Sequence, residues 1–207
     1  MEMLDFEKKL YEKGYTLIGG IDEVGRGPLV GPVVASCVIL PKNFYHVDIK
    51  DSKKLTEKKR EELYDVIMDK AVSVGIGIVD SKRIDEINIY EATKEAMLVA
   101  INNMKIKPEY LLIDAMKLDT DIPYEAIIKG DAKSESIAAA SIVAKVTRDR
   151  MLIELDKEYP MYNFKKNKGY GTKEHIDAIN KYGVIDNHRR SFKPVSDALL
   201  KEKVVQK

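Results

Sequence analysis

The chain has 207 residues, 44% of them hydrophobic and 33% charged, which is an ordinary globular composition and excludes a disordered or low-complexity polymer. Its formal net charge of +1 predicts no partner by itself. The one cysteine, Cys37, excludes an intrachain disulfide framework and fits a reducing compartment, and no stretch approaches the ~20 apolar residues of a membrane span. The N-terminus MEMLDFEKKL is too acidic for a signal peptide. These features point to a cytoplasmic protein with no membrane segment.

In chain order, Tyr15 to Ile21 reads as a first strand and Gly31 to Leu40, GPVVASCVIL, as a second. A polar connection containing DSKKL follows. Thr56 caps a helix running to about Ala71, with Leu63, Val66, Ile67 and Lys70 on one side. VSVGIGIV then alternates: Val72, Val74, Ile76 and Ile78 face one way, and Ser73, Gly75 and Gly77 the other. The glycines predict an element packed closely over them.

Asn88 to Met104 reads as an amphipathic helix with Ile89, Ala92, Ala96, Val99 and Asn103 near one stripe. Tyr110 to Ile113, apolar throughout, is a short central strand, and Ala126 to Lys129 another. A long helix follows, whose alanine-rich first half, Ile137 to Val146, is apolar nearly all round and therefore buried. After Tyr159 the chain turns basic and aromatic, with short helices near Lys173–Tyr182 and Pro194–Lys203. From Met161 onward there are 11 Lys/Arg against 5 Asp/Glu, a balance of +6, so the body is acidic and the end basic. The order of elements predicts a mixed α/β sheet flanked by helices, with a small helical C-terminal extension.

Chemistry concentrates where apolar runs end. Asp22 and Glu23 close the first run, Asp114 closes YLLI, and Asp131 follows the next strand. If the first and fourth strands are parallel neighbours, about 4.8 Å apart, Asp22 and Asp114 share a pocket, and a turn at Gly130 brings Asp131 beside them. Crowded carboxylates either protonate or bind hard cations, and Mg²⁺ or Mn²⁺ suits an all-oxygen donor set. Two such ions about 3.5–4 Å apart serve phosphodiester cleavage. His46, His175 and His188 are scattered and offer no zinc site. The lesser alternatives are a cap for the helix starting near Ser134 at Asp131, and an ordinary turn at Asp114. GRGPLVG is not a dinucleotide fingerprint. Gly25 and Gly27 would let backbone approach a ligand, while Arg26 suits either a phosphate or a carboxylate. Arg148 and Arg150, in the long helix, suit phosphates or carboxylates equally, and His188, Arg189 and Arg190, ahead of Phe192, suit structural docking of the extension.

IDEVGRGPLVGPV, DSKKL, LLIDA, GDAKSESIAAASIVAKVTRDR, NKGYGTKEH and HRRSFKPV, in this order, resemble the motifs of ribonuclease HII, the type 2 ribonuclease H of bacteria. The resemblance runs from about Leu17 to Val195. It implies one domain with a ribonuclease H-like mixed five-stranded sheet: a core over about 15–158 and a helical extension over about 159–207. It implies an endonuclease that cuts RNA in RNA–DNA hybrids and 5′ of ribonucleotides embedded in duplex DNA. The expected products carry 5′-phosphate and 3′-hydroxyl ends.

By the same resemblance Asp22, Glu23, Asp114 and Asp131 are the catalytic acids and hold the metal, expected as two ions in the active complex. Gly25, Arg26 and Gly27 meet the 2′-hydroxyl at the RNA–DNA junction, and Tyr170 stacks on the deoxyribose that follows. Ser52, Lys53, Lys54 and Lys168 are candidates for phosphate contacts, or solvated surface charges, and the protein is expected to act as a monomer. Two departures stand out: Asn167 where many relatives have histidine, and Ile185-Asp186-Asn187 where many have proline and cysteine. A catalytically silent hybrid-binding module, or a different nuclease on the same fold, are the competing readings.

Overall fold

A computed structural model describes residues 2–49 and 55–205. The five strands are β1 (Ile18–Val24), β2 (Val33–Ile39), β3 (Ser73–Val79), β4 (Tyr110–Asp114) and β5 (Tyr124–Ile127). They form one sheet in the order β3-β2-β1-β4-β5. The pairs β1–β2 and β2–β3 are antiparallel, whereas β1–β4 and β4–β5 are parallel. The helices are α1 (Asp5–Glu12), α2 (Glu57–Lys70), α3 (Ser81–Asn102), α4 (Glu135–Glu158), α5 (Phe164–Asn167), α6 (Lys173–Tyr182) and α7 (Lys193–Val205). The mixed five-stranded sheet expected from the sequence is therefore present.

Several boundaries move, each for a local reason. β1 starts at Ile18 because the backbone N–H groups of Thr16 and Leu17 donate to the Glu109 carboxylate instead of to a neighbouring strand. It runs through Val24, so Asp22 and Glu23 lie within the strand and do not follow it. β5 begins two residues earlier than expected and stops at Ile127, ahead of Lys129 in the left-handed region at φ 57°.

The expected helix start at Asn88 is a break inside α3. Asn88 takes φ 69°, and its side-chain oxygen accepts from Tyr90 N–H (2.9 Å) and Glu91 N–H (3.1 Å), capping the second segment. The first segment starts where Asp80 accepts from Arg83 N–H. The buried stripe of α3 holds Ala92, Ala96, Met97, Ala100 and Ile101, so Val99 lies beside it. α1 has no counterpart in the sequence reading. It covers Ile18, Leu112, Ile127 and Ile137 with Leu10.

α3 closes one face of the sheet over Ile21, Ala35, Cys37, Leu111 and Ile113. On β3 it rests on the glycine side, where a side chain at Gly75 or Gly77 would overlap the carbonyls of Ala100 and Ala96. The valine and isoleucine side is the more open, with Ile78 45% exposed. α2 and α4 cover the other face. α4 is buried along Ile137–Ala144, as its composition predicts, because Gly20 lets its first turn press directly onto β1. The elements from Pro160 onward pack around Tyr162, Phe164, Ile179 and Val195, against Leu152 of α4 and the Leu29–Val30 segment.

A Cβ at Gly20 would overlap the Ser136 carbonyl, which is helix backbone and cannot rotate away. Gly20→Ala should therefore cost about 1–3 kcal/mol, seen as a Tm fall of about 2–4 °C for each kcal/mol. An unchanged Tm would show that α4 does not rest on β1 as described.

Candidate active site

The β1–β4 register pairs Ile21 with Ile113, so Asp22 and Asp114 are the next residues along two adjacent parallel strands. Alternation puts both on the side of the sheet covered by α4, the side of Gly20 and Leu112. The Ser141 hydroxyl of α4 hydrogen-bonds the Asp22 carboxyl there. Asp22 is 3% exposed. Burial holds its carboxyl well above the ordinary carboxylate range, reinforced by the charges of Glu23 and Asp114. Burial also raises Glu23. Arg26 opposes that shift, and Asp114 adds to it. Three of the four predicted acids thus lie within electrostatic reach of one another.

The fourth comes in through the backbone. Gly130 N–H donates to Asp114 Oδ1 at 2.7 Å, so the 3₁₀ turn Gly130–Ala132 is tied to the end of β4. Asp131 sits in that turn, 5% exposed. It does not cap α4. Ser134 does, accepting from Ile137 N–H at 3.2 Å.

Each acid also has a local partner. Glu23 N–H donates to Asp22 Oδ1 at 2.8 Å, and Arg26 lies 3.4 Å from Glu23 Oε1. In this arrangement no three His, Cys, Asp or Glu side chains among the described residues meet closely enough to hold an ion. Two observations nevertheless fit a divalent cation. Oε2 of Glu23 is buried with no hydrogen-bond partner. The gathered donors are all carboxylate oxygens, the set that hard Mg²⁺ or Mn²⁺ takes.

The loop after β1 is fixed by two fully buried arginines. Arg189 donates to the carbonyls of Gly25, Arg26 (2.9 Å) and Gly31 (3.0 Å). Arg148 donates to those of Pro32 (2.9 Å), Val30 (3.0 Å) and Lys168 (2.9 Å). Burial draws Arg148 down to about 10 and Arg189 to about 9, which leaves both cationic at neutral pH. Arg148 thus pairs with carbonyls and not with a carboxylate, whereas Arg150 does pair, with Glu61. Gly25 has φ +93°, and a side chain there would run into the Arg148 guanidinium.

Gly27 faces the ring of Tyr170, which is 44% exposed. Lys168, at φ 51°, supplies a carbonyl to Arg148, and its ammonium lies 3.6 Å from Glu57. The structure therefore brings Gly25, Arg26, Gly27 and Tyr170 together, with Lys168 in the adjoining turn. Ser52, Lys53 and Lys54 lie outside the described residues. His175 and His188, scattered in sequence, meet at 3.0 Å between their Nε2 atoms and bond each other.

The sequence reading missed a buried support behind Asp131. Glu7 of α1 accepts from the Ser134 hydroxyl (2.6 Å) and Ser136 N–H (3.0 Å) through Oε1. Glu135 N–H donates to the Met3 carbonyl, and Glu135 Oε1 accepts from His46 N–H. Two acids at the positive end of α4 make electrostatic sense. A serine pair at positions 134 and 136 around Glu135 was the available signal, but nothing in MEMLDFEKKL marks Glu7 as their acceptor.

Burial pushes Glu135 up to about 7, with Glu7 reinforcing and the His46 N–H opposing. A carboxyl raised on folding binds its proton more tightly in the folded chain, so stability falls as pH climbs from 4.5 toward 7. Glu135→Gln removes that loss. The Tm difference, variant minus parent, should grow in the variant's favour between about pH 5 and about pH 8. A difference constant with pH would exclude Glu135 as the titrating group.

The family described as Ribonuclease HII matches residues 19–195. The chain is similar to the ribonuclease HII of Bacillus mycoides, at 59% identity over 201 residues, covering 97% of this chain and 78% of that protein. Its structure is similar to that of ribonuclease H2 from Pyrococcus horikoshii, with TM-score 0.78 and 28% identity over 90% of this chain and 98% of that one. It also shares its fold with the Mn²⁺ complex of Bst-RNase HIII, with TM-score 0.71 and 16% identity over 92% and 71% of the two chains. The match runs from β1 through the acid-bearing strands into the extension, and it makes this chain a member of the ribonuclease HII family, endonucleases of the ribonuclease H class that degrade RNA in RNA–DNA hybrids.

Proposed function

We propose that the protein hydrolyses the RNA strand of RNA–DNA hybrids and cuts 5′ of ribonucleotides embedded in duplex DNA, leaving 5′-phosphate and 3′-hydroxyl ends by a two-metal-ion reaction. The observation that carries this reading is the placement of Asp22, within β1, beside Asp114, at the end of the parallel strand β4, with the orphaned Glu23 oxygen next to them. Asp22, Glu23, Asp114 and Asp131 are the residues that would hold two Mg²⁺ or Mn²⁺ ions. Such ions supply charge neutralisation and Lewis-acid activation at a scissile phosphate.

The chain's own residues bind and orient. Gly25, Arg26 and Gly27 present backbone to the ribose, where the 2′-hydroxyl separates RNA from DNA. Tyr170, exposed and against Gly27, stacks on the next sugar. Lys168, with Ser52, Lys53 and Lys54, contacts phosphates, which position the duplex without reading its sequence. The +6 balance from Met161 onward suits that polyanion. We read residues 1–207 as one domain, a core over about 15–158 with its extension over about 159–207, working as a monomer. A cytoplasmic location is supported by the single buried Cys37. Among the described residues no helix is long and apolar enough to cross a membrane.

The test is cleavage of a duplex bearing one ribonucleotide, with Mg²⁺ or Mn²⁺ and again with EDTA. Cutting on the 5′ side of the ribonucleotide, abolished by EDTA, is expected. Asp114→Asn keeps an oxygen for Gly130 N–H, so the fold should survive while turnover falls roughly a thousandfold, the scale of several kcal/mol of lost charge stabilisation. Undiminished turnover in that variant, equal cutting of all-DNA duplex, or binding without cutting would each overturn the assignment.

A further inference from the structure

His175 and His188 are 0% and 1% exposed, enclosed by the rings of Tyr162 and Phe164. Their partners leave one arrangement of protons. Ile185 N–H donates to His188 Nδ1 at 3.1 Å, so that nitrogen carries a lone pair and the proton sits on Nε2. His175 Nδ1 lies 2.9 Å from the Tyr170 carbonyl, which only accepts, so Nδ1 carries the proton there and Nε2 is free to accept. The two Nε2 atoms are 3.0 Å apart, and His188 is the donor between them. Two neutral rings satisfy all three bonds, while a proton added to either ring would set two N–H groups against each other. Burial pulls both imidazoles down, His188 to about 3.

The relay ends on a turn that needs support. Lys168 and Gly169 are both left-handed, at φ 51° and +84°, and the Tyr170 carbonyl also takes Thr172 N–H at 2.8 Å. Gly169 supplies a carbonyl to Leu29 N–H, and His188 forms a β-bridge with Val30. The residue after it is Arg189, which grips Gly25 and Arg26. One buried chain of hydrogen bonds thus links the extension to the tyrosine turn, and its neighbour in sequence holds the facing loop.

We propose that His188, acting through His175, is a positioning residue that locks the Tyr170 turn against Gly27 and so sets the preference for a single embedded ribonucleotide over continuous hybrid. This rests on the reading of Tyr170 as the group that meets the junction sugar.

The experiment compares kcat/KM on a duplex with one ribonucleotide against kcat/KM on a long hybrid, for the parent protein, Tyr170→Ala, His188→Asn and His188→Gln. Asn keeps an oxygen for Ile185 N–H but is too short to reach His175, whereas Gln restores a donor near the Nε2 position. His188→Asn should lower the ratio by about tenfold, the scale of one lost hydrogen bond at the turn, and His188→Gln should recover most of it.

Equal losses on both substrates mark a merely structural role and overturn the proposal. If Tyr170→Ala leaves the ratio unchanged, the reading of Tyr170 falls and the relay's purpose with it. If Tyr170→Ala shifts the ratio and His188→Asn, with its Tm retained, does not, the relay alone is overturned. Imidazole ¹⁵N spectra of the parent protein at neutral pH test the geometry without any variant. Nδ1–H on His175 and Nε2–H on His188 are expected, and the opposite tautomers or a charged ring would refute it.

Discussion

Carboxylates brought out of water beside one another are the constraint around which this molecule is arranged. Asp22 and Glu23 are adjacent in β1, Asp114 ends the neighbouring strand, and burial makes their mutual repulsion stronger than it would be in solvent. Each of these three acids is therefore given a hydrogen-bond donor. Asp114 takes Gly130 N–H, Asp22 takes Ser141 and the next backbone N–H, and Glu23 takes Arg26 on one oxygen only. Of these donors α4 supplies Ser141, which the helix carries to Asp22 because Gly20 lets it press onto β1. Repulsion left unrelieved in this way favours binding of a divalent cation, which suits a ribonuclease H.

The loop that follows meets the opposite problem. The segment between β1 and β2 lies outside the sheet, so its carbonyls need donors from elsewhere. Arg148 and Arg189 resolve this by donating to six carbonyls from beneath. Neither is paired with a carboxylate in these contacts, and burying a guanidinium this way is costly. The cost is offset because an arginine offers five donors in a fixed fork and can satisfy several carbonyls at once, which no lysine does.

Much of this was legible in the sequence, for physical reasons that differ by element. Strands and helices with strict periodicity appear as expected, and the parallel β1–β4 pairing on which a shared pocket for Asp22 and Asp114 was conditional is present. The boundaries that moved were decided by side chains distant in sequence, as where Glu109 takes the N–H groups of Thr16 and Leu17. Asp22 and Glu23 read as leaving their strand because unpaired charge inside a sheet is costly, but β1 outruns β4 and continues with β2 as its partner to Val24. Glu7 and the meeting of His175 with His188 were opaque, Arg148 takes carbonyls where a phosphate or a carboxylate was expected, and Arg189 does tie the extension to the core. A buried arginine bonded to carbonyls carries no local pattern, and Glu7 finds its partners 127 and 129 residues away.

The two departures from the family pattern sit where the structure tolerates them. Asn167 donates to the Tyr162 carbonyl at 2.7 Å and accepts from Gly169 N–H at 2.8 Å, so it braces the same left-handed turn from within. In the Ile185-Asp186-Asn187 segment the contacts that join the extension to the core run through backbone: Asn187 gives its carbonyl to Gly31, Asp186 gives its carbonyl to Ser81, and Ile185 gives its N–H to His188. A segment that grips by main chain can change side chains freely, provided no residue removes the Ile185 N–H. The histidines that receive that grip have no such freedom, because each uses both ring nitrogens at once. Variation can therefore pass along the surface of the extension while the buried line from Ile185 to Tyr170 stays intact.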